Sequence, residues 1–144
     1  MKLASAFLRK GNIFIQGSSQ TTTGVWITSG PVHIFNQEAN TQEIGDAIID
    51  LLKCSIQGIP HPKQTEWKNI QAPMLNAAGV KTWSTFAKGT KAVGMVYEGE
   101  TVTMAPSFEY ETQGGTSYKE TNIKCSFSSG ELGETLLKAF LSCE

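Results

Sequence analysis

Two seven-residue segments of this chain share one pattern of residue types. Glu43–Ile49 and Glu131–Leu137 both read acidic, aliphatic, glycine, acidic, small, aliphatic, aliphatic. In and after each segment, apolar residues recur three and four positions apart, which places them on one face of a helix. The sequence therefore predicts two equivalent helices, the first from about Thr41 to Lys53 and the second at the end of the chain. Chance is the alternative explanation of so short a repeat.

The repeated glycine and the residues before each repeat add local detail. A glycine one turn inside a helix costs about 1 kcal/mol relative to alanine, so Gly45 and Gly133 predict a close approach of each helix backbone to a sheet. Asn40 with Glu43, and Ser128 with Glu131, have the spacing of a capping box. Both helices are therefore expected to begin with this motif.

Each predicted helix follows a set of predicted strands. Apolar and β-branched residues favour strands, and glycine and proline mark the turns between them. The strand segments in the first half are 12–16, 25–28 and 32–35, with a polar loop at 17–24 and a turn at 29–31. Those in the second half are 93–97, 101–104, a segment containing Phe108 and Tyr110, and 123–127. Glu98-Gly99-Glu100 is expected to be a three-residue hairpin loop.

A different kind of segment separates the two halves. The run Ile59–Lys63 contains two prolines and predicts an extended connection. Irregularly spaced apolar residues follow and predict two short helices, broken at Ala72-Pro73 and at Gly79. The expected fold class is α+β, with a mostly antiparallel sheet covered by helices and two strand–helix halves around a helical insert.

Length and composition exclude several classes of protein. The chain has 144 residues, 40% of them hydrophobic, and a net charge of −1, which fits one domain spanning residues 1–144 with no general attraction to nucleic acid or membrane. No apolar run reaches the roughly 20 residues that cross a bilayer, and the first ten residues are too interrupted for a signal peptide. We therefore expect a cytoplasmic protein whose three cysteines, Cys54, Cys125 and Cys143, are buried free thiols.

Motifs for catalysis are sparse. Gly114-Gly115 lacks the Lys-Ser/Thr of a phosphate-binding loop. The two histidines, His33 and His61, have no cysteine or serine in a recognisable partner motif and too few close ligands for a metal site. We expect no enzymatic activity, cofactor or metal, although His61 as an exposed catalytic base is a minor alternative.

Lysine is concentrated in the insert. Five lysines and one glutamate give residues 63–91 a net charge of about +4, which is either a solvated face or a weak nucleic-acid-binding patch. A nucleic-acid-binding module using Lys63–Lys91 is the alternative function. The three tryptophans, Trp26, Trp67 and Trp83, are expected in the core, with an interface anchor as the alternative.

The second hairpin carries the opposite charge. Five glutamates and one lysine give residues 98–120 a net charge of about −4. The segment Glu109-Tyr110-Glu111 would present two carboxylates on one strand face. A solvated edge is the simple interpretation, and a docking surface for a basic partner is the functional one. The candidate binding residues are Glu98, Glu100, Glu109, Tyr110 and Glu111.

Several motifs in their order along the chain resemble the bacterial contact-dependent growth inhibition (CDI) immunity protein family. They are Gly24–Ile27, Ile59–Lys63 with Trp67-Lys68, Gly79–Phe86 and Glu131–Phe140. The resemblance covers the chain from about Leu8 to its end. Each motif is short and none is catalytic, so the specificity of the resemblance lies in their order and spacing.

The resemblance implies a small cytoplasmic protein that binds and neutralises a toxin domain delivered by neighbouring cells. Such toxins are commonly nucleases, RNases among them, with basic active-site clefts. The implied partner is the C-terminal domain of the cognate CDI toxin, and the protein itself is expected to be a monomer before it binds. The family supplies no fixed set of toxin-binding residues, so the acidic candidates depend on charge and exposure alone.

Overall fold

The computed structural model describes residues 1–107, Tyr110 and residues 122–143. Within them, the elements follow in the order β1 (Lys2–Arg9), β2 (Asn12–Thr21), β3 (Trp26–Asn36), α1 (Thr41–Lys53), β4 (Gln57–Ile59), α2 (Trp67–Ala78), α3 (Trp83–Ala87), β5 (Lys91–Glu98), β6 (Thr101–Pro106), β7 (Ile123–Ser126) and α4 (Ser129–Ser142). A 3-10 turn, Gln64–Glu66, precedes α2. The predicted α+β class is confirmed.

The sheet has a nearly symmetrical strand order, β3-β2-β1-β5-β6-β7. The first strands of the two halves, β1 and β5, are antiparallel neighbours at its centre. Each half continues outward through two further antiparallel strands and then enters a helix, α1 or α4. The short strand β4 is the exception, because it pairs with β2 in parallel. The two predicted strand–helix halves with a helical insert are therefore present.

The two faces of the sheet bury separate cores, because successive side chains of a strand point to opposite faces. On one face, residues such as Ile13, Ile15 and Val93 pack with Ile44 and Leu136 of α1 and α4. On the other face, a mainly aromatic cluster joins the sheet to the insert. Its buried members are Phe7, Phe14, Met74, Phe86, Ala87, Ala92 and Tyr110.

The repeated glycines lie between the two helices, so the expectation that they face the sheet is wrong. A Cβ atom added at Gly45 would be 1.7 Å from the backbone oxygen of Ser129, and one at Gly133 would be 1.9 Å from that of Thr41. Any side chain at either position would therefore overlap the backbone of the other helix. The glycines allow α1 and α4 to cross at backbone contact over the sheet.

The starts of the two helices differ, although their sequences match. The side chain of Asn40 accepts a 2.7 Å hydrogen bond from the backbone N–H of Gln42, which confirms it as an N-cap. Ser128 makes no such bond. The carboxylate of Glu131 instead accepts hydrogen bonds from the backbone N–H and the hydroxyl of Ser126, so the predicted Ser128–Glu131 capping box is wrong.

Several strand boundaries also differ from the prediction. The first strand, β1, was absent from it, although β1 lies at the centre of the sheet. The polar stretch Gly17–Thr21 was expected in a loop but continues β2. Its serines and threonines are buried by neighbouring segments: the hydroxyl of Ser55, for example, donates to the carbonyl of Ser18. Polar composition therefore concealed a strand whose hydroxyl groups find internal partners.

The predicted turn at 29–31 is a bulge within one continuous strand. Val32 lies opposite Gln16, whereas Ser29 lies opposite Gly17, so no residue of β2 lies directly opposite Gly30 or Pro31 in the register. Gly30 adopts a φ of +79°, which glycine tolerates and which suits a bulge. Pro31 is accommodated because its missing N–H is not needed at an unpaired position.

The helical insert is longer and more exposed than predicted. Helix α2 runs through Pro73, where a break was expected, and ends at Gly79 with a φ of 72°, as predicted. Pro73 has no backbone N–H to donate to the carbonyl of Asn69. Both residues are exposed, so water can donate to that carbonyl instead. Trp67 is 38% exposed, which contradicts its expected place in the core. Trp26 and Trp83 are half-buried.

Candidate functional site

The acidic hairpin predicted from the sequence is present and its turn is exposed. Glu98 pairs with Thr101, so the turn contains two residues, Gly99 and Glu100, one fewer than predicted. Gly99 has a φ of 66°, which suits the first central position of a two-residue hairpin turn. Glu98 and Glu100 are both exposed at this tip. Two carboxylates are thus presented to solvent at this end of the hairpin.

An aromatic stack supports the base of this hairpin. The rings of Tyr97 and Phe127 are parallel within 9°, with their centroids 4.1 Å apart. Tyr97 immediately precedes Glu98, and Phe127 follows the edge strand β7. The stack therefore ties the hairpin to the connection that leads into α4.

Of the three remaining candidates, only Tyr110 belongs to the described residues. Glu109 and Glu111 lie outside the described residues. Tyr110 is helical rather than in the predicted strand, is 4% exposed, and its ring centroid lies 5.8 Å from that of Phe7.

Phe7 pairs with Ala92 near the opposite end of β5 from the turn. Ala92 and Glu98 are six positions apart, which corresponds to about 20 Å along a strand. The described structure therefore separates Tyr110 from Glu98 and Glu100.

Part of the lysine-rich insert forms a groove on α2. Lys68, Lys81 and Trp83, together with Leu75 and Val80, line a groove with a volume of about 550 Å³. Trp83 is anchored by Phe86, whose ring centroid lies 4.9 Å away. Two lysine side chains beside a partly exposed indole ring are suited to a ligand that has both an anionic group and a planar ring, such as a nucleotide.

His61 is exposed and belongs to a small polar contact. Its Nδ1 lies 2.8 Å from the hydroxyl of Thr23, and its ring packs edge-on against Trp67 with 5.9 Å between centroids. The contact joins the proline-containing connection to the β2–β3 turn. The contact therefore gives His61 a structural role.

The sequence analysis placed Gln16 in a strand but not among the candidate site residues, and the structure places it beside a second cavity. Gln16 is 1% exposed, and its Nε2 donates a 2.9 Å hydrogen bond to the carbonyl of Gly30 in the bulge. The cavity next to it has a volume of about 330 Å³. The signal in the sequence is a glutamine that directly follows the apolar run Ile13-Phe14-Ile15.

Other chemical features give little additional information on function. Among the described residues, no three His, Cys, Asp or Glu side chains come together in a way that suits a metal ion. The helices of the described part are all too short or too polar to cross a membrane.

The three cysteines are free thiols, as predicted, but they differ in burial. Cys143 is buried, Cys125 is half-buried and Cys54 is exposed, so the prediction that all three are buried is wrong.

Comparison with known families gives a match over almost the whole length. The family model described as CDI immunity protein matches residues 2–143. The chain belongs to the CDI immunity protein family. This membership confirms the resemblance found in its sequence motifs, and it extends that resemblance to β1.

Solved structures show that this CDI immunity protein shares its fold with distant relatives. A protein of unknown function from Neisseria meningitidis has a TM-score of 0.78 and 17% identity, and the alignment covers 99% of this chain and 95% of that one. A chain of the CdiA-CT/CdiI toxin and immunity complex from Yersinia pseudotuberculosis has a TM-score of 0.77 and 15% identity, with coverages of 99% and 97%. No curated protein matches the sequence.

Proposed function

We propose that this CDI immunity protein binds the C-terminal domain of a cognate CDI toxin and neutralises it by covering its active-site cleft in a one-to-one complex. The observation that carries the proposal is the family match over residues 2–143. The likeness to a chain from a toxin and immunity complex supports the same partner class. The protein would act by binding alone, as a cytoplasmic monomer before it meets the toxin.

The proposed toxin is a nuclease, an RNase in particular, with a basic cleft. Glu98 and Glu100 are the described residues best placed to enter such a cleft, because a two-residue turn projects beyond the sheet. Carboxylates there would occupy the positions of substrate phosphates, attract the toxin during diffusion and exclude water on contact. A turn held by the Tyr97–Phe127 stack would lose little conformational entropy on binding.

Glu109, Tyr110 and Glu111 belong to the same proposal. The two glutamates would add negative charge to the contact. Because Tyr110 is buried against Phe7, its part would be to hold the backbone between them rather than to supply contact area.

A toxin-challenge assay tests this function. Cells that express the co-encoded toxin domain should survive with the wild-type protein, and the purified pair should elute as a one-to-one complex. Protection should weaken with Glu109→Ala/Glu111→Ala and persist with Lys81→Ala/Lys88→Ala, once circular dichroism has shown that both variants fold. The opposite pattern would place the interface on the insert, and a toxin that the protein neither binds nor inhibits would refute immunity.

The groove on α2 favours a second candidate function, the binding of single-stranded nucleic acid. Lys68 and Lys81 would contact phosphates, and Trp83 would stack on a base. Binding of a labelled oligonucleotide should then weaken steeply with salt, be lost in Lys68→Ala/Lys81→Ala, and survive Glu98→Gln/Glu100→Gln. Absence of binding at low salt would remove this candidate.

A further inference from the structure

The cavity beside Gln16 lies where the bulge of β3 meets α2 and the proline-containing connection. Strand β3 supplies one wall, and Thr28 links it to the helix through a 3.4 Å hydrogen bond to the carbonyl of Ile70. The bulge lies against Gln16, whose Nε2 donates to the carbonyl of Gly30. The lining residues are Gln16, Ile27, Thr28, Ser29, Gly30, Pro60, His61, Pro62, Glu66, Asn69, Ile70 and Pro73.

Gln16 contributes a buried hydrogen-bond acceptor that no other described residue satisfies. Its Nε2 donates to Gly30, and the opposite amide orientation would place Oε1 against that same carbonyl oxygen, so the orientation is determined. Its Oε1 has no hydrogen-bond partner among the described residues. Since leaving a buried carbonyl unpaired is destabilising, the position favours a ligand that brings a donor.

The remaining lining residues define the rest of that ligand. Ile27, Ile70 and the three prolines form apolar walls, and Glu66 adds a carboxylate. One carboxylate oxygen of Glu66 accepts a 2.9 Å hydrogen bond from the backbone N–H of Lys63, which holds the side chain in place. No lysine or arginine occurs among the described lining residues. The cavity thus combines apolar walls, one unpaired acceptor and one negative charge.

We propose that this cavity receives a single lysine or arginine side chain from the toxin. The methylene stem of such a side chain would pack against the isoleucines and prolines, while its charged head would donate to Gln16 Oε1 and approach Glu66. The proposal rests on the proposed function, because it takes the toxin as the partner. It adds a second contact site, distinct from the acidic turn, that recognises one basic residue by shape as well as by charge.

Toxin binding by paired variants tests the site. Gln16→Met keeps the length of the side chain and removes the acceptor. Its matched control is Gln20→Met, because Gln20 Nε2 makes a similar 3.2 Å hydrogen bond to the carbonyl of Gly24 away from the cavity. We expect the toxin to bind Gln16→Met about tenfold more weakly, as for loss of one charge-assisted hydrogen bond, and Gln20→Met as well as wild type. Equal affinity for the two variants would overturn the proposal.

A titration without the toxin separates this site from the function. The side-chain amide signals of Gln16, assigned by triple-resonance spectra of the wild-type protein, should shift saturably with 1-propylguanidinium and not with 1-butanol. Glu66→Gln, which keeps the acceptor for Lys63, should weaken that shift severalfold and remains informative if Gln16→Met does not fold. Equal shifts with both compounds, or none with either, would overturn the basic-side-chain assignment while leaving the toxin-challenge result unaffected.

Discussion

Gly45 of α1 lies directly against the backbone carbonyl of Ser129, the first residue of α4, so that a Cβ atom at Gly45 would be 1.7 Å from the carbonyl oxygen. The reciprocal contact joins Gly133 of α4 to the carbonyl of Thr41, the first residue of α1, at 1.9 Å from an added Cβ. Each helix therefore offers its first carbonyl to the glycine one turn inside the other. This exchange follows the near-symmetry of the sheet beneath, in which β1 and β5 are central neighbours.

We predict that Gly45→Ala and Gly133→Ala each destabilise the protein by about 3 kcal/mol or more, because a methyl group must push the helices apart. The double variant should lose less than the sum of the two, since the first substitution already separates the same pair of helices. Urea-induced unfolding measures all three values. Gly130→Ala is the control: its Cβ would meet only the side chain of Gln42, at 3.7 Å, so stability should be unchanged or slightly higher.

We predict that the two helix starts differ in their response to alanine. Asn40→Ala removes the hydrogen bond to the N–H of Gln42 and should cost about 1 kcal/mol. Ser128→Ala removes no cap bond and should cost less than about 0.5 kcal/mol. The free energies of unfolding in urea compare the two variants directly, and equal losses would show that Ser128 caps α4 in solution.

We predict that the three thiols react in the order Cys54, Cys125, Cys143 with an alkylating reagent at pH 8. Cys54 is exposed. Burial raises the pKa of the Cys125 thiol, which leaves less of the reactive thiolate. A hydrogen bond with Thr135 lowers that pKa and the charge of Glu131 raises it, both by smaller amounts than burial does. Cys143 is buried and its thiol donates to the carbonyl of Ala92.

Mass spectrometry after timed alkylation identifies each modified cysteine and its rate of reaction.

The stability of the protein should also depend on the ionisation of Cys125. Because the folded protein keeps the Cys125 proton to a higher pH than the unfolded chain, this group should reduce stability as pH rises above the unfolded thiol pKa of about 8.5. Cys125→Ser should remove that part of the pH dependence. Denatured protein, prepared without reductant, should titrate as three thiols, and a value of one would indicate a disulfide.

We predict that Glu98→Gln/Glu100→Gln slows association with the toxin severalfold at low salt and makes the rate less dependent on salt, because exposed carboxylates act mainly by steering. A carboxylate that becomes fully buried against a toxin lysine would cost more, about 2–5 kcal/mol, through faster dissociation. Stopped-flow kinetics at several salt concentrations separate the two effects. Glu38→Gln/Glu134→Gln changes the net charge equally at two exposed positions elsewhere; an equal effect there would remove the special role of the turn.

Local patterns in the sequence determined the elements that depend on local physics. The 3.6-residue period located α1 and the closing helix, and the switch to a period of two located the hairpin of β5 and β6. Glycine marked the end of α2 and the turn at Gly99, because both positions need a positive φ. The repeated glycine also indicated a close backbone approach, although the sequence pointed to the sheet rather than to the other helix.

Only the tertiary structure decided what those elements meet. Gly45 faces Ser129 rather than a strand, Tyr110 turns towards Phe7, and the polar residues of β2 continue a strand, because distant segments supply the contacts that outweigh local preference. Gln16 shows the same limit at the proposed cavity. Its burial, its bond to Gly30 and its unpaired oxygen arise from a bulge that forms only when β3 pairs with β2, and such long-range pairing leaves no periodic signal in the sequence.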